Sequence, residues 1–275
     1  MCRILISSFN TDKIDVFKDI LNSFIKSSER DILLEKLSNR SSHSDGWGLA
    51  SIGLANNTPS ILFHKTLLPI YHSQSRDIVE LFIKRMELYD NIKVIVHSRL
   101  SSRREPYGER YSHPFEVLEN NLTIWFIHNG GVDKKELSKE IGINPYYYSD
   151  SWISAIYISK YLNKCVEKET DLDNCVIDSY RNLIKYTIDN SALDTGLLLL
   201  YKDAPYLYTS FYVKGYMEMN DDRKEYYNMY KYVEEGFIAV SSSTVKYYSS
   251  RDFSLIEQGL YSIRNNNLVK LDSYQ

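Results

Sequence analysis

The sequence predicts an α+β fold in which antiparallel β-sheets are covered by helices. Predicted strands occur in pairs and groups separated by helical segments, unlike the strict strand–helix alternation of a parallel doubly wound sheet. The sequence has no internal repeat and no linker rich in Pro or Gly. One continuous domain over residues 1–275 is therefore the simplest organisation.

The strands are predicted from short apolar runs that end at turn residues. They cover residues 2–7, 47–54, 60–64, 93–97, 122–128, 196–202, 206–213 and 237–241. The second and third are expected to pair, because the segment between them at 56–59 is Asn-Asn-Thr-Pro.

The helices are predicted from apolar residues at helical spacing. They cover residues 14–25, 75–88, 151–162 and 177–188. The first shows the pattern clearly, with Val16, Ile20 and Phe24 on one face. A fifth helix is predicted at 221–235, a segment rich in tyrosine.

Composition restricts the class of protein. The 275 residues are 43% hydrophobic and 25% charged, which is typical of a soluble globular protein with a substantial core. A net charge of −3 gives no basic field for nucleic acid or an anionic membrane. The apolar runs are far shorter than the roughly 20 residues that span a bilayer, and the N-terminus does not resemble a signal peptide. We therefore expect a cytoplasmic protein.

Cysteine is scarce and tyrosine is abundant. The three cysteines, Cys2, Cys165 and Cys175, are too few for a disulfide framework. The 24 tyrosines cluster at 146–148 and 226–232. Such clusters can form an aromatic binding surface, but packing at core edges and at a homo-oligomer interface is the commoner use.

Cys2 directly follows the initiator methionine and is the first candidate for catalysis. Removal of Met1 would expose Cys2 as the N-terminal residue, and a small second residue permits that cleavage. An N-terminal cysteine combines a nucleophile with a base, since its α-amine, with a pKa of about 7.7–8.0, can accept the thiol proton. A cysteine at this position can equally be an ordinary core or surface residue.

Three further segments carry groups suited to a binding site. Residues 43–48, His-Ser-Asp-Gly-Trp-Gly, suit a tight turn that leads into a strand. Arg99 follows an apolar strand and can clamp a substrate carboxylate with two hydrogen bonds. His113 and Pro114 suit the anchor of a loop. The structural alternatives are a turn around a buried tryptophan and a surface arginine in a salt bridge.

The predicted strand at 122–128 runs into the sequence Asn-Gly-Gly. The Asn129 amide and the Gly130 N–H can both point at one oxygen, as an oxyanion hole requires. An Asn-Gly hairpin turn is the structural alternative.

Taken in order, these segments resemble the class-II glutamine amidotransferases of the N-terminal-nucleophile hydrolase superfamily. The likeness is greatest to single-domain members that begin Met-Cys and carry a His-x-Asp-Gly-Trp-Gly segment, here at 43–48. It extends from Cys2 to Asp150, and residues 151–275 carry no diagnostic motif. The resemblance implies a four-layer αββα sandwich of two antiparallel sheets between helical layers, with the active site at one end.

The resemblance implies catalytic roles for three residues. Cys2 falls on the family's nucleophile, and Asn129 with Gly130 falls on its oxyanion pair. The implied reaction is hydrolysis of the γ-amide of glutamine through a Cys2 thioester, which gives glutamate and ammonia. It implies no cofactor and no metal.

Four residues fall on positions that bind substrate in the family. Arg99 matches the arginine that binds the α-carboxylate, and Asp150 matches the acidic residue that holds the α-amino group. His113 matches the His-Pro loop, and Ser102 keeps a hydroxyl where the family has threonine. The aromatic residue that usually follows the arginine is leucine here, and Trp152 stands where the family often has glutamate.

Several functions remain open at this point. The ammonia either passes to a separate synthase subunit or is released, and the substrate is either glutamine or another γ-glutamyl amide. The departures from the family pattern also fit a catalytically silent binding or regulatory subunit. A metal hydrolase is a further rival, since four of the six histidines lie in these segments, although none has the close helical spacing of a zinc motif.

Overall fold

The computed structural model describes residues 2–101, 106–120 and 122–274. The strands in these residues are β1 (Arg3–Asn10), β2 (Trp47–Ala55), β3 (Thr58–Thr66), β4 (Asn91–Ser98), β5 (Phe115–Glu119), β6 (Leu122–Gly130), β7 (Leu193–Tyr201), β8 (Ala204–Phe211), β9 (Met229–Glu234), β10 (Phe237–Ser242), β11 (Ser254–Leu255), β12 (Gly259–Arg264) and β13 (Asn267–Ser273). The α-helices are α1 (Ile14–Glu29), α2 (Ile32–Leu37), α3 (Ser73–Met86), α4 (Lys134–Ile141), α5 (Asp150–Val166), α6 (Leu172–Leu183) and α7 (Asp221–Tyr227).

The strands form two antiparallel sheets. The first has the order β11-β9-β10-β1-β4-β2-β3, and the second has the order β13-β12-β8-β7-β6-β5. β1 lies at the centre of the first sheet, where Arg3 is opposite Ser98 of β4. In the second sheet, Asn129 of β6 is opposite Asp194 of β7. The start of β1 and the end of β4 therefore meet at one edge, directly beside Cys2 and Arg99.

Side chains alternate between the two faces of each strand, and the apolar ones pack into three layers. Ile4 and Ile6 of β1 belong to the cluster between the two sheets. Leu5, on the opposite face of β1, packs in a cluster with Phe24 of α1. On the outer face of the second sheet, Ile158 of α5 belongs to a third cluster. The predicted αββα sandwich is confirmed.

Two predicted helices have the wrong extent. The helix predicted at 177–188 is α6, which starts at Leu172 because the Asp171 carboxylate caps it by accepting bonds from the N–H groups of Asp173 and Asn174. The helix predicted at 221–235 ends at Tyr227, and the remainder is β9. Pairing with β10, with Tyr230 opposite Ser241, overrides the helical pattern there.

The cysteines and tyrosines are distributed between core and surface. Cys165 of α5 and Cys175 of α6 form a disulfide, and Cys2 is a free cysteine. Tyr146 is 80% exposed, whereas Tyr226 is 1% exposed, so the two tyrosine clusters lie in different environments. Within the part of the chain that the structure describes, no helix is long and apolar enough to cross a membrane.

Candidate active site

Five predicted site residues meet at one cavity at the end of the sandwich. The cavity has a volume of about 510 Å³, and its walls include Cys2, Arg99, His113, Gly130 and Asp150. Cys2 directly precedes β1, Arg99 follows β4, and His113 lies in the loop before β5. Gly130 ends β6, and Asp150 begins α5. Ser102 lies outside the described residues.

The Cys2 thiol lies against the segment that follows β4. The Leu100 N–H donates to Cys2 Sγ at 3.4 Å, a contact that favours the thiolate. Burial raises the pKa of the thiol, while the Leu100 N–H and the positive charge of Arg99 oppose that effect. A thiol in this setting needs a base to ionise near neutral pH.

Arg99 is a buried cation at the cavity wall. Its side chain is 4% exposed, and its Nη2 donates to the carbonyl oxygen of Pro106 at 3.0 Å. Within residues 2–101, 106–120 and 122–274, Nη1 has no hydrogen-bond partner. Because a buried donor without a partner is costly, Nη1 is a candidate to bind an anionic group of a substrate.

The glycine-tryptophan turn holds the Arg99 segment in place. Arg99 N donates to Gly46 O at 2.8 Å, and Ser101 N donates to Asp45 Oδ2 at 2.7 Å. Gly46 has φ +120°, which a residue with a side chain rarely adopts. At Gly48, a Cβ atom would collide with the carbonyl oxygen of His113, so this glycine allows the His-Pro loop to approach β2.

A buried ionic network lies behind Cys2, and the sequence did not predict it. Asp31 Oδ2 accepts from Arg3 Nε at 2.6 Å and lies 2.7 Å from His43 Nε2. Burial acts to raise the pKa of Asp31, but Arg3 and His43 outweigh it and hold that pKa well below its usual range. Burial lowers the pKa of His43 to about 4. An acidic residue ahead of an apolar helix signals a cap in the sequence, but the pairing with Arg3 has no local signal.

The histidines of the motif region are buried and neutral. The rings of His97 and His113 lie in contact, with centroids 3.9 Å apart and planes tilted by 30°. Burial holds both pKa values well below the usual range, and the positive charge of Arg99 acts in the same direction. Among the residues that the structure describes, no group of three or more His, Cys, Asp or Glu side chains is arranged to hold a metal ion.

The predicted oxyanion pair is divided between the cavity and the core. Gly130 lines the cavity with φ +147°, and a Cβ atom there would collide with the carbonyl oxygen of Ala192. The Asn129 side chain is 1% exposed and lies behind the wall, where its Nδ2 donates to Asp194 Oδ2 at 3.2 Å. Burial raises the pKa of Asp194 well above its usual range, although the bond from Asn129 opposes that effect.

Asp150 brings a carboxylate to the cavity wall. It begins α5, where Ser149 caps the helix. Its Oδ2 accepts from Val132 N at 3.3 Å, and its Oδ1 accepts from Ser151 N at 2.7 Å. Backbone N–H groups thus orient the carboxylate from two sides.

The αββα sandwich, with this cavity at its end, is a fold that a known enzyme shares. A solved structure of the allosteric regulatory enzyme of purine biosynthesis overlies 98% of this chain with a TM-score of 0.60 and 12% sequence identity. This chain spans about half of that one, 48% of its length.

A second solved structure is a predicted glutamine amidotransferase from Pseudomonas aeruginosa PA01. The match covers 98% of this chain and 96% of that protein, with a TM-score of 0.46 and 10% sequence identity. This likeness is too weak to bear on the fold. No protein-family model matches the chain, and no curated protein matches it.

Proposed function

We propose that this chain hydrolyses the γ-amide of glutamine to glutamate and ammonia through a thioester on Cys2. The observation that carries the proposal is that a thiol, a buried guanidinium and a carboxylate line one cavity. Arg99 Nη1, which has no partner among the described residues, suits an α-carboxylate, and the Asp150 carboxylate suits an α-ammonium group. An α-amino acid with an amide at its far end matches this pattern of charges.

The proposed mechanism begins with removal of Met1. The neutral α-amine of Cys2 accepts the thiol proton, and the sulfur attacks the amide carbon. The Gly130 N–H stabilises the oxyanion at the cavity wall. Asn129, whose amide bonds to Asp194 behind that wall, is the proposed second donor through its other amide hydrogen after its side chain turns toward the cavity. The proton passes to the departing ammonia, and water then releases glutamate from the thioester.

A larger γ-glutamyl amide is a second candidate substrate. The cavity extends from Cys2 to Arg40 and Ile188, beyond the residues assigned to glutamine. Its volume of about 510 Å³ lies within the range of roughly 300–1,000 Å³ that is typical of pockets for drug-sized ligands.

A separate synthase subunit is the proposed acceptor of ammonia. The solved enzyme that shares the fold has about half of its chain outside the match, so it holds further structure that this match does not include. We propose that a partner protein supplies the acceptor for this chain, and that the pair acts in the cytoplasm. Co-purification of a partner that raises glutamine turnover would support this.

The test is intact mass combined with release of glutamate from glutamine in one preparation. The expected result is loss of one methionine together with activity that Cys2→Ala abolishes. A Cys165→Ser, Cys175→Ser double variant is the matched control, since it removes the other cysteines, which lie outside the cavity. A diazoketone analogue of glutamine should label Cys2 alone in peptide mapping.

The outcomes separate the candidates. Loss of methionine without glutamate release favours a different γ-glutamyl substrate, which a panel of γ-glutamyl amides would identify. Activity that persists in Cys2→Ala would overturn the nucleophile. Binding of glutamine without turnover by protein that has lost Met1 favours a silent binding subunit.

A further inference from the structure

A chain of buried polar groups leads from the core to the Asp150 carboxylate. His128 Nε2 lies 3.4 Å from the carbonyl oxygen of Ala192, and His128 Nδ1 lies 2.9 Å from Ser151 Oγ. Ser151 Oγ in turn lies 3.2 Å from Asp150 Oδ1, and Ser151 N donates to the same oxygen at 2.7 Å. We name these groups the His128–Ser151 relay.

The chemistry of the groups fixes the direction of the hydrogen bonds. The Ser151 hydroxyl has one hydrogen, and it donates that hydrogen to Asp150 Oδ1 at 3.2 Å. Its oxygen therefore accepts from His128 Nδ1 at 2.9 Å. The Ser151 side chain is thus held between the His128 ring and the Asp150 carboxylate.

The relay ties three parts of the fold to the cavity wall. His128 lies at the end of β6, Ala192 directly precedes β7, and Ser151 is in the first turn of α5. His128 is 1% exposed and Ser151 is 6% exposed, so water competes little for these bonds. Movement of Asp150 would require the first turn of α5 to break its bond to His128.

We propose that His128 and Ser151 are positioning residues for Asp150, and that their hydrogen bonds set how strongly the cavity prefers a ligand with an α-ammonium group. This inference rests on the proposed function, in which Asp150 receives the α-ammonium of glutamine. Neither residue is required to touch the reacting amide, so their loss should change substrate binding more than the chemical step.

The test compares glutamine with 4-carbamoylbutanoate, which has the same amide and carboxylate but no amino group. Binding of both is measured by calorimetry in a Cys2→Ala background, with and without Ser151→Ala or His128→Asn. In the active protein, Ser151→Ala should raise KM for glutamine about three- to tenfold and leave kcat within about twofold. Ser159→Ala is the matched control, because Ser159 is a buried serine of the same helix away from the cavity.

The expected result is that Ser151→Ala weakens glutamine binding about three- to tenfold and leaves the analogue unchanged. Equal weakening of both ligands, or an unchanged preference, would overturn the relay and leave the glutaminase proposal standing. A parent protein that binds neither ligand overturns the proposed function, and the relay's role falls with it. Thermal unfolding of each variant shows whether Ser151→Ala and His128→Asn remain folded.

Discussion

Replacement of Asp31 with alanine is expected to destabilise the fold by about 4–6 kcal/mol. Asp31 and Arg3 are both 0% exposed, and their side chains are 2.6 Å apart. Removal of the carboxylate leaves the guanidinium buried without its counter-charge, which costs about 3–5 kcal/mol. Asp31 also caps α2 by accepting from the N–H groups of Leu33 and Leu34, and loss of a cap costs about 1 kcal/mol.

Urea unfolding followed by circular dichroism measures this loss as a shift of the midpoint at constant slope. Asp272→Ala is the matched control, because its partner Arg181 is 60% exposed and such pairs contribute at most about 1 kcal/mol. The double variant Arg3→Met, Asp31→Leu should be more stable than Asp31→Ala, since it removes both charges together.

A loss of under about 1 kcal/mol in Asp31→Ala would refute this reasoning, because Arg3 would then be stable without its counter-charge. A double variant as unstable as Asp31→Ala would refute the attribution to the unpaired charge. In that case the hydrogen bonds of Asp31 to His43 and to Thr244 Oγ1, at 2.7 and 2.8 Å, would be the main contribution.

Two further predictions concern acid stability and the glycine of the cavity. His43 has a pKa of about 4 in the folded chain and about 6.5 unfolded, so the unfolded state binds the extra proton between these values and stability should fall from about pH 6.5 to about pH 4. A urea midpoint as high at pH 4.5 as at pH 7 would contradict this. Gly130→Ala should lower the thermal midpoint far more than Gly142→Ala, because only Gly130 faces a collision with Ala192, whereas Gly142 has open space. Equal shifts would contradict the argument.

The sequence predicts the central strands well because their apolar runs are local signals. β1, β2 and β4 lie within a few residues of the predicted bounds. The β12–β13 hairpin was missed although Asn265 and Asn266, which turn the chain with φ of 48° and 59°, are a recognisable turn pair. The strand β9, where a helix was predicted, could not be predicted from the local sequence, because its conformation depends on pairing with β10.

The candidate site shows the same division between local and long-range information. Cys2, Arg99 and Asp150 were predicted because each lies in a recognisable segment, and the fold brings them to one cavity. The partners that hold the site were missed, since Asp31 is 28 residues from Arg3 and Asp194 is 65 residues from Asn129. Residue spacing along a chain contains no information on such pairs until the strand order is known.

Buried polar side chains next to the cavity residues hold the backbone of the site in place. Three of the cavity residues have a neighbour in sequence whose side chain makes a buried hydrogen bond to a distant element. The pairs are Cys2 with Arg3, Gly130 with Asn129, and Asp150 with Ser151. Burying these polar groups costs desolvation energy, but each bond restricts the backbone next to a group that must be placed within a fraction of an ångström. Variants of the supporting residues should therefore displace the cavity groups while leaving their chemistry intact.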